Sequence, residues 1–287
     1  MSNLKQGKTI EVVFGAGGVK GYLHIGLLRA LEELGFNVSK FTGASVGAII
    51  AALAANDWSS TRIMDLFLAS HDRSANPLLL ASAIVMPDMP TFVHALMTGF
   101  SGYTCLSLEG PWKESVKALG ITPSERLRIL ACESGSKKPV LFEGVDYDLG
   151  TALSASGAFP GVFKSVQYQG KDLVDGAVYH RNPDEFCTDP AVISSLGFAS
   201  KWPNEMLDMV SLYFHYREMN FPFVKQETAV NEDLNVLIHQ QADDVCGLSF
   251  ALSKKRCLQM YEDGYNHSKA MLIKAIAEGK LPNPAAR

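Results

Sequence analysis

The first sixty residues alternate between two kinds of hydrophobic pattern, and together these read as two strand–turn–helix units. Residues 9–14, TIEVVF, are a short apolar run rich in β-branched side chains and stopped by Gly15, the pattern of a buried strand. Residues 22–34, YLHIGLLRALEEL, carry Leu23, Leu27, Leu31 and Leu34 on one helical face, with Gly35 as the stop. NVSKFTG at 37–43 predicts a second strand, and VGAIIAALAAN at 46–56 predicts a helix apolar and small enough to pack deep. Strand, glycine turn and helix, twice over, predict an α/β fold with a mainly parallel sheet.

Further strands are predicted at 127–132, 139–144, 171–176 and 208–214. From about 229 to 278 the pattern reads as helical, ending in an amphipathic helix at 261–279 expected to pack on the core. Residues 74–108 differ in kind: Asp88 is their only formally charged side chain, with Pro77, Pro87 and Pro90 as punctuation. They read either as buried cap helices or as a lid that meets lipid. No repeat or linker divides the chain, so a single domain over 1–287 is expected.

Composition narrows the class. With 47% hydrophobic and 20% charged residues in 287, the chain can bury a sizeable core. A net charge of −4, and no basic block longer than Lys254-Lys255-Arg256, argue against a nucleic-acid partner. The segment before the first strand lacks an apolar signal core, and no apolar run approaches the roughly 20 residues of a membrane span. A cytoplasmic protein is therefore expected. Cys105, Cys132, Cys187, Cys246 and Cys257 are odd in number and widely spaced, which predicts reduced thiols and no structural metal.

The chemistry lies in the glycine turns. VVFGAGGVKG at 12–21 holds Gly15, Gly17, Gly18 and Gly21 within seven residues. A dinucleotide loop would need glycine where Lys20 stands, and an acidic residue ending the second strand, which has none. A P-loop fails because Lys20 sits where its last glycine should be. GASVG at 43–47, between a strand and a helix, matches the G-x-S-x-G of a nucleophile elbow with Ser45 as nucleophile. Attack by Ser45 on an ester carbonyl would create an oxyanion, and glycine amides at 15–18 can supply donors unobstructed by side chains. Among seven histidines His180 is the candidate for a general base, whereas His24 reads as packed or superficial. Asp175, in VDGAV at 174–178, ends a strand and could take the proton of Ser45 directly, or could belong to an ordinary Asp-Gly turn.

Taken in order, GAGGVKG, GASVG and DGA resemble the patatin-like phospholipases and the catalytic part of cytosolic phospholipase A2 enzymes. ALSASGAFPGVF at 152–163 and HIGLLRALEELG after the glycine block are similar to that family too, and the resemblance spans residues 9–183. It implies a three-layer α/β/α sandwich and a lipid acyl hydrolase acting on phospholipids or lysophospholipids, and the weakly charged 74–108 segment motivates action at a membrane surface. The implied chemistry is a Ser45–Asp175 dyad with an acyl-enzyme, an oxyanion hole at Gly15, Gly17 and Gly18, and no calcium or other cofactor. Gly21, Gly43, Gly47 and Gly176 support the motifs, and Lys20 either assists an anionic site or is a surface lysine at a helix start. A soluble acyl-ester or thioester hydrolase, an acyltransferase, and a catalytically idle lipid- or partner-binding protein are the competing readings. A protein activator is left open. Residues 184–287 carry no family motif and are expected to complete or cap the domain with helices.

Overall fold

A strand buried on both faces needs apolar residues at successive positions, and TIEVVF supplies them: strand β1 (Thr9–Phe14) is buried from its second residue onward. The computed structural model describes residues 9–69, 107–159, 163–197, 235–245, 247 and 252–284. After β1 come helix α1 (Gly21–Leu34), β2 (Asn37–Ala44), α2 (Val46–Ala55) and α3 (Ser60–Ala69). Then follow α4 (Glu109–Leu119), β3 (Leu127–Glu133), β4 (Pro139–Glu143), α5 (Leu149–Ser156), β5 (Val166–Tyr168) and β6 (Lys171–Asp175). β7 (Ala191–Leu196), β8 (Val236–Gln240) and α6 (Lys254–Ala277) complete the set. Gly35, in the left-handed conformation at φ 77°, ends α1 as the sequence predicts.

The strands form one sheet in the order β5-β6-β3-β2-β1-β7-β8, with β4 also paired to β3. The run from β3 to β8 is parallel, whereas β4 and β6 lie antiparallel to β3. Register fixes which strand ends meet. Phe14 stands beside both Gly43 and Ser194, Ala44 beside Leu130, and Ala131 beside Asp175. The turns that follow β1, β2 and β7 therefore open at one edge, the carboxyl edge where α/β sheets carry their sites.

All six α-helices among the described residues contribute buried side chains to one cluster with Ile10, Val12 and Phe14 of β1, Ile129 of β3 and Ile238 of β8. The alternate residues Val13, Ala191 and Ile193 pack on the opposite face against Cys187 and Leu237. Away from the site, a buried ion pair at 2.5 Å joins Arg128 of β3 to Glu11 of β1 across β2. Arg128 also holds Glu143 of β4 at 2.8 Å. Burial opposes ionisation of Glu11, but the Thr188 amide and hydroxyl together with Arg128 outweigh it and hold the carboxyl below its ordinary range.

Two expectations change. The stretch read as helical from 229 contains β8, and the region after 184 supplies β7 as well, so it completes the sheet as well as the helical layer. Parallel pairing with β7 turns VLIHQ into a strand. The predicted strand at 208–214, and the weakly charged segment up to residue 106, lie outside the described residues.

The predicted closing helix is longer than expected, Lys254–Ala277, and packs along α1. The two backbones approach closely through facing glycines. A Cβ on Gly26 would stand 2.4 Å from the Tyr261 carbonyl oxygen, and one on Gly264 would stand 2.5 Å from that of Leu23. Replacing Gly26 by Ala must push the helices apart, so we expect a loss of about 2–3 kcal/mol in urea unfolding. Ala at Gly135, where a Cβ meets nothing within 4 Å, should change stability far less.

Candidate active site

Ser45 occupies the single residue between β2 and α2, at φ 55° and ψ −126°. A non-glycine residue held there stores about 1–3 kcal/mol of strain, which persists only where neighbours over-determine the turn. Gly43 and Gly47 make the turn possible. A Cβ on Gly47 would fall 2.1 Å from the Phe14 carbonyl oxygen, and one on Gly43 would fall 2.3 Å from that of Gly47. The Ser45 amide donates to Ser156 Oγ at 3.0 Å, and that hydroxyl donates to the Leu130 carbonyl at 2.7 Å. Ser45 is half-buried and stands at the N-terminus of α2, where the helix field favours negative charge.

Asp175 is the last residue of β6 and is 1% exposed. Ala44 lies beside Leu130, so Ser45 comes to the level of Ala131, which pairs with Val140 of β4 on one side and with Asp175 on the other. β2 and β4 take opposite sides of β3 at Arg128–Leu130, and β4 and β6 take opposite sides at Ala131–Cys132, so β6 meets β3 on the same side as β2, just past the end of β2, where the Ser45 turn stands. Asp175 Oδ1 accepts the Ala177 amide at 2.8 Å, and the Asp175 amide donates to the Ala158 carbonyl at 3.0 Å. Gly176 lets the turn lie on β3, since a Cβ there would meet the Leu130 carbonyl oxygen at 2.3 Å. Residues 156–158 therefore hold both turns, one through a side chain and one through backbone. Burial, and then the charge of Asp175, push the nearby Cys132 thiol up to about 11, so it stays protonated at neutral pH.

The glycine loop runs from β1 to α1 through a short 3₁₀ turn at Gly18–Lys20. Its amides divide into two groups. Gly15 N donates to Ser194 O at 3.0 Å, Ala16 N to Arg181 O at 2.9 Å, Val19 N to Gly247 O at 2.8 Å and Lys20 N to Gly17 O at 3.2 Å. The amides of Gly17 and Gly18 donate to no group among the described residues, and both residues are partly exposed. This corrects the expectation for Gly15: its amide continues the β1–β7 ladder and cannot serve an oxyanion. Gly18 has φ 56°, and a Cβ there would strike the Gly247 carbonyl oxygen at 2.0 Å. Lys20 is not a surface lysine. It is 2% exposed, and its Nζ donates to the Gly197 carbonyl at 2.5 Å, just beyond β7. Gly21 opens α1 against α2, where its Cβ would meet Val46 Cγ2 at 2.6 Å.

The histidines separate as well. His180 is buried in the turn beyond Asp175, 3.8 Å from Asp184 Oδ1. His24 is wholly buried on α1, with Nε2 2.8 Å from the Gly15 carbonyl and Nδ1 2.8 Å from Ser194 Oγ. A carbonyl only accepts, so Nε2 carries the proton and Nδ1 receives the serine hydroxyl. Burial depresses the imidazole to about 4, outweighing the Gly15 bond. The sequence reading missed this contact, and it missed Ser156 although that residue stands inside the ALSASGAFPGVF block. Polarity in otherwise apolar surroundings, as at Ser194 and Ser195 of β7, was the available signal.

Because the folded state disfavours the charged imidazole, the unfolded chain takes up this proton first as pH falls. Stability from His24 is complete above about pH 6.5 and is lost as pH drops towards 4, by about 3 kcal/mol. His24→Gln should lack this component. The stability difference between wild type and variant, from urea melts at pH 7.5 and pH 4.5, is expected to narrow or reverse on acidification.

Comparison with known proteins follows the same residues. Residues 12–185 match the family described as patatin-like phospholipase, which is more than half of the chain. Human "Patatin-like phospholipase domain-containing protein 6" is 44% identical over 62 residues, 22% of this chain and 4% of that protein. "Lysophospholipase nte1" of Neurospora crassa is 31% identical over 110 residues, 38% of this chain and 7% of that protein. The chain thus corresponds to a small part of the length of these relatives. In fold it is similar to VipD from Legionella pneumophila, with a TM-score of 0.53 and 14% identity over 95% of this chain and 69% of that one. The match extends from the strand before the glycine loop to just past the Asp-Gly turn, and on it the chain belongs to the patatin-like phospholipase family.

Proposed function

We propose that this chain is a lipid acyl hydrolase that cleaves the carboxylic esters of phospholipids or lysophospholipids through Ser45 and Asp175. One observation carries the reading: a strained serine and a buried carboxylate stand at one level on the same side of β3, while two adjacent amides of the glycine loop at that edge have no acceptor among the described residues. The family match and the name of the fungal relative support lipid as the substrate class.

In this reading the Asp175 carboxylate accepts the Ser45 hydroxyl proton as Oγ attacks the ester carbonyl carbon. The carbonyl oxygen becomes an oxyanion held by the amides of Gly17 and Gly18, with the α2 N-terminus adding a favourable field. Collapse breaks the ester C–O bond, and the departing alcohol takes the proton from Asp175, leaving an acyl-serine. Water then attacks the acyl carbon, its proton passing to Asp175, and a second collapse frees the fatty acid and returns the proton to Ser45. Each group is used twice, and no further proton carrier is required.

No described helix is long and apolar enough to cross a membrane, and the reading has the protein meet lipid at a bilayer surface. Ser45→Ala and Asp175→Asn should each lower fatty-acid release from mixed phosphatidylcholine and lysophosphatidylcholine vesicles by about 10³-fold or more. Full activity in either variant would overturn the dyad. Activity confined to short soluble esters, and unaltered by vesicles, would replace the lipid assignment with a soluble esterase.

A further inference from the structure

We propose that His24 is a positioning residue for the oxyanion loop: it clamps the Gly15 carbonyl and so fixes the direction of the amides that follow. The inference rests on the assignment of Ser45 as nucleophile and extends it to a residue that touches neither substrate nor the reacting atoms.

A glycine loop is a poor rigid body, because glycine has the widest backbone freedom to lose. An oxyanion hole needs its donors fixed before charge develops. The loop solves this with bonds on the peptide planes around the Gly17 and Gly18 amides. The plane between Gly15 and Ala16 is held at both ends, by His24 Nε2 on the carbonyl and by the Arg181 carbonyl on the amide. The plane carrying the Gly18 amide is held at its other end, where the Gly17 carbonyl accepts Lys20 N. The next plane is held by the bond from Val19 N to Gly247 O. Of these clamps His24 is the one made by a side chain, and it lies on the core side of the loop.

The ring is itself aimed. Ser194 Oγ occupies Nδ1, and Gln240 Nε2 lies 3.3 Å from Ser194 Oγ and 2.8 Å from Ser268 Oγ. The ring also packs on Phe14, with centroids 5.2 Å apart. A buried chain of polar groups from β7, β8 and α6 thus ends on one carbonyl of the glycine loop. With both nitrogens engaged and no exposed surface, His24 has no free face with which to act as a base.

The test uses the full chain, a short chromogenic ester, and two lipid-like ligands: a trifluoromethyl ketone, which becomes tetrahedral on a serine, and a matching ether that cannot react. In His24→Leu we expect kcat to fall about 100-fold with KM within about two-fold, because transition-state contacts alone are misplaced. Ketone affinity should fall in parallel and ether affinity should hold. His24→Gln, whose amide nitrogen can reach the same carbonyl, should restore kcat to within about ten-fold of wild type, and Ser194→Ala should lower kcat about ten-fold through the ring's orientation. A folded His24→Leu with full kcat, equal losses for ketone and ether, or no rescue by Gln would overturn the proposal. Should His24→Leu not fold by circular dichroism, an unchanged kcat in both His24→Gln and Ser194→Ala would overturn it instead. Ser45→Ala separates the two levels: if it still turns over the ester, the nucleophile assignment fails. If it is silent while the His24 and Ser194 variants are fully active, only the present inference fails.

Discussion

The site depends on one backbone contact, the approach of Gly47 to the end of β1. At that point a single added carbon would fall 2.1 Å from the Phe14 carbonyl oxygen and 2.7 Å from that of Gly15. The first turn of α2 is thereby pressed onto the start of the glycine loop, so the serine turn and the loop share one space. Any larger residue would force the two apart. The strain at Ser45 is a consequence: β2 must turn into α2 within one residue, because α2 has no room to begin further from β1.

Around that contact the chain places bonds where glycine cannot hold itself. Ser156 Oγ accepts the Ser45 amide and donates to the Leu130 carbonyl of β3, so the turn is referenced to the sheet. His24 performs the same service for the glycine loop, referencing it to β7 through Ser194. Lys20 has its charge buried and donates to the carbonyl of Gly197, joining the start of α1 to the end of β7. These are polar groups in a buried setting, costly if left unpaired and therefore stiff when paired. The result is a site in which two loop amides have no acceptor among the described residues, while the amides on either side of them are bonded.

The parts of the fold that could be read from sequence are those with a local cause. TIEVVF, the leucine face of α1 and the small apolar α2 each carry their own period, and Gly35 marks a stop by its left-handed backbone. The serine turn was legible because G-x-S-x-G is a steric requirement written within five residues. β8 was misread because VLIHQ is a short run in polar surroundings, and such a run suits helix or strand equally until a partner decides. β7 was passed over because Ser194 and Ser195 interrupt its apolar pattern, although both are buried. Their hydroxyls meet His24 and Asn182, residues distant in sequence.

By itself, then, the sequence determined the class of fold and the family, and it marked Ser45, Asp175 and the glycine block as candidates, because these motifs are short and follow one another in a fixed order along the chain. Tertiary structure alone decided which amides of that block find an acceptor among the described residues, since the fate of the Gly15 amide depends on pairing with Ser194. It also decided that Lys20 is buried and that His24 serves the loop and not the solvent. The level of Asp175 beside β3 comes from an antiparallel pairing that no local pattern specifies. The physical reason is shared: these contacts join separate elements of the chain, so periodicity does not show them, and they exist only once the sheet has brought those elements together.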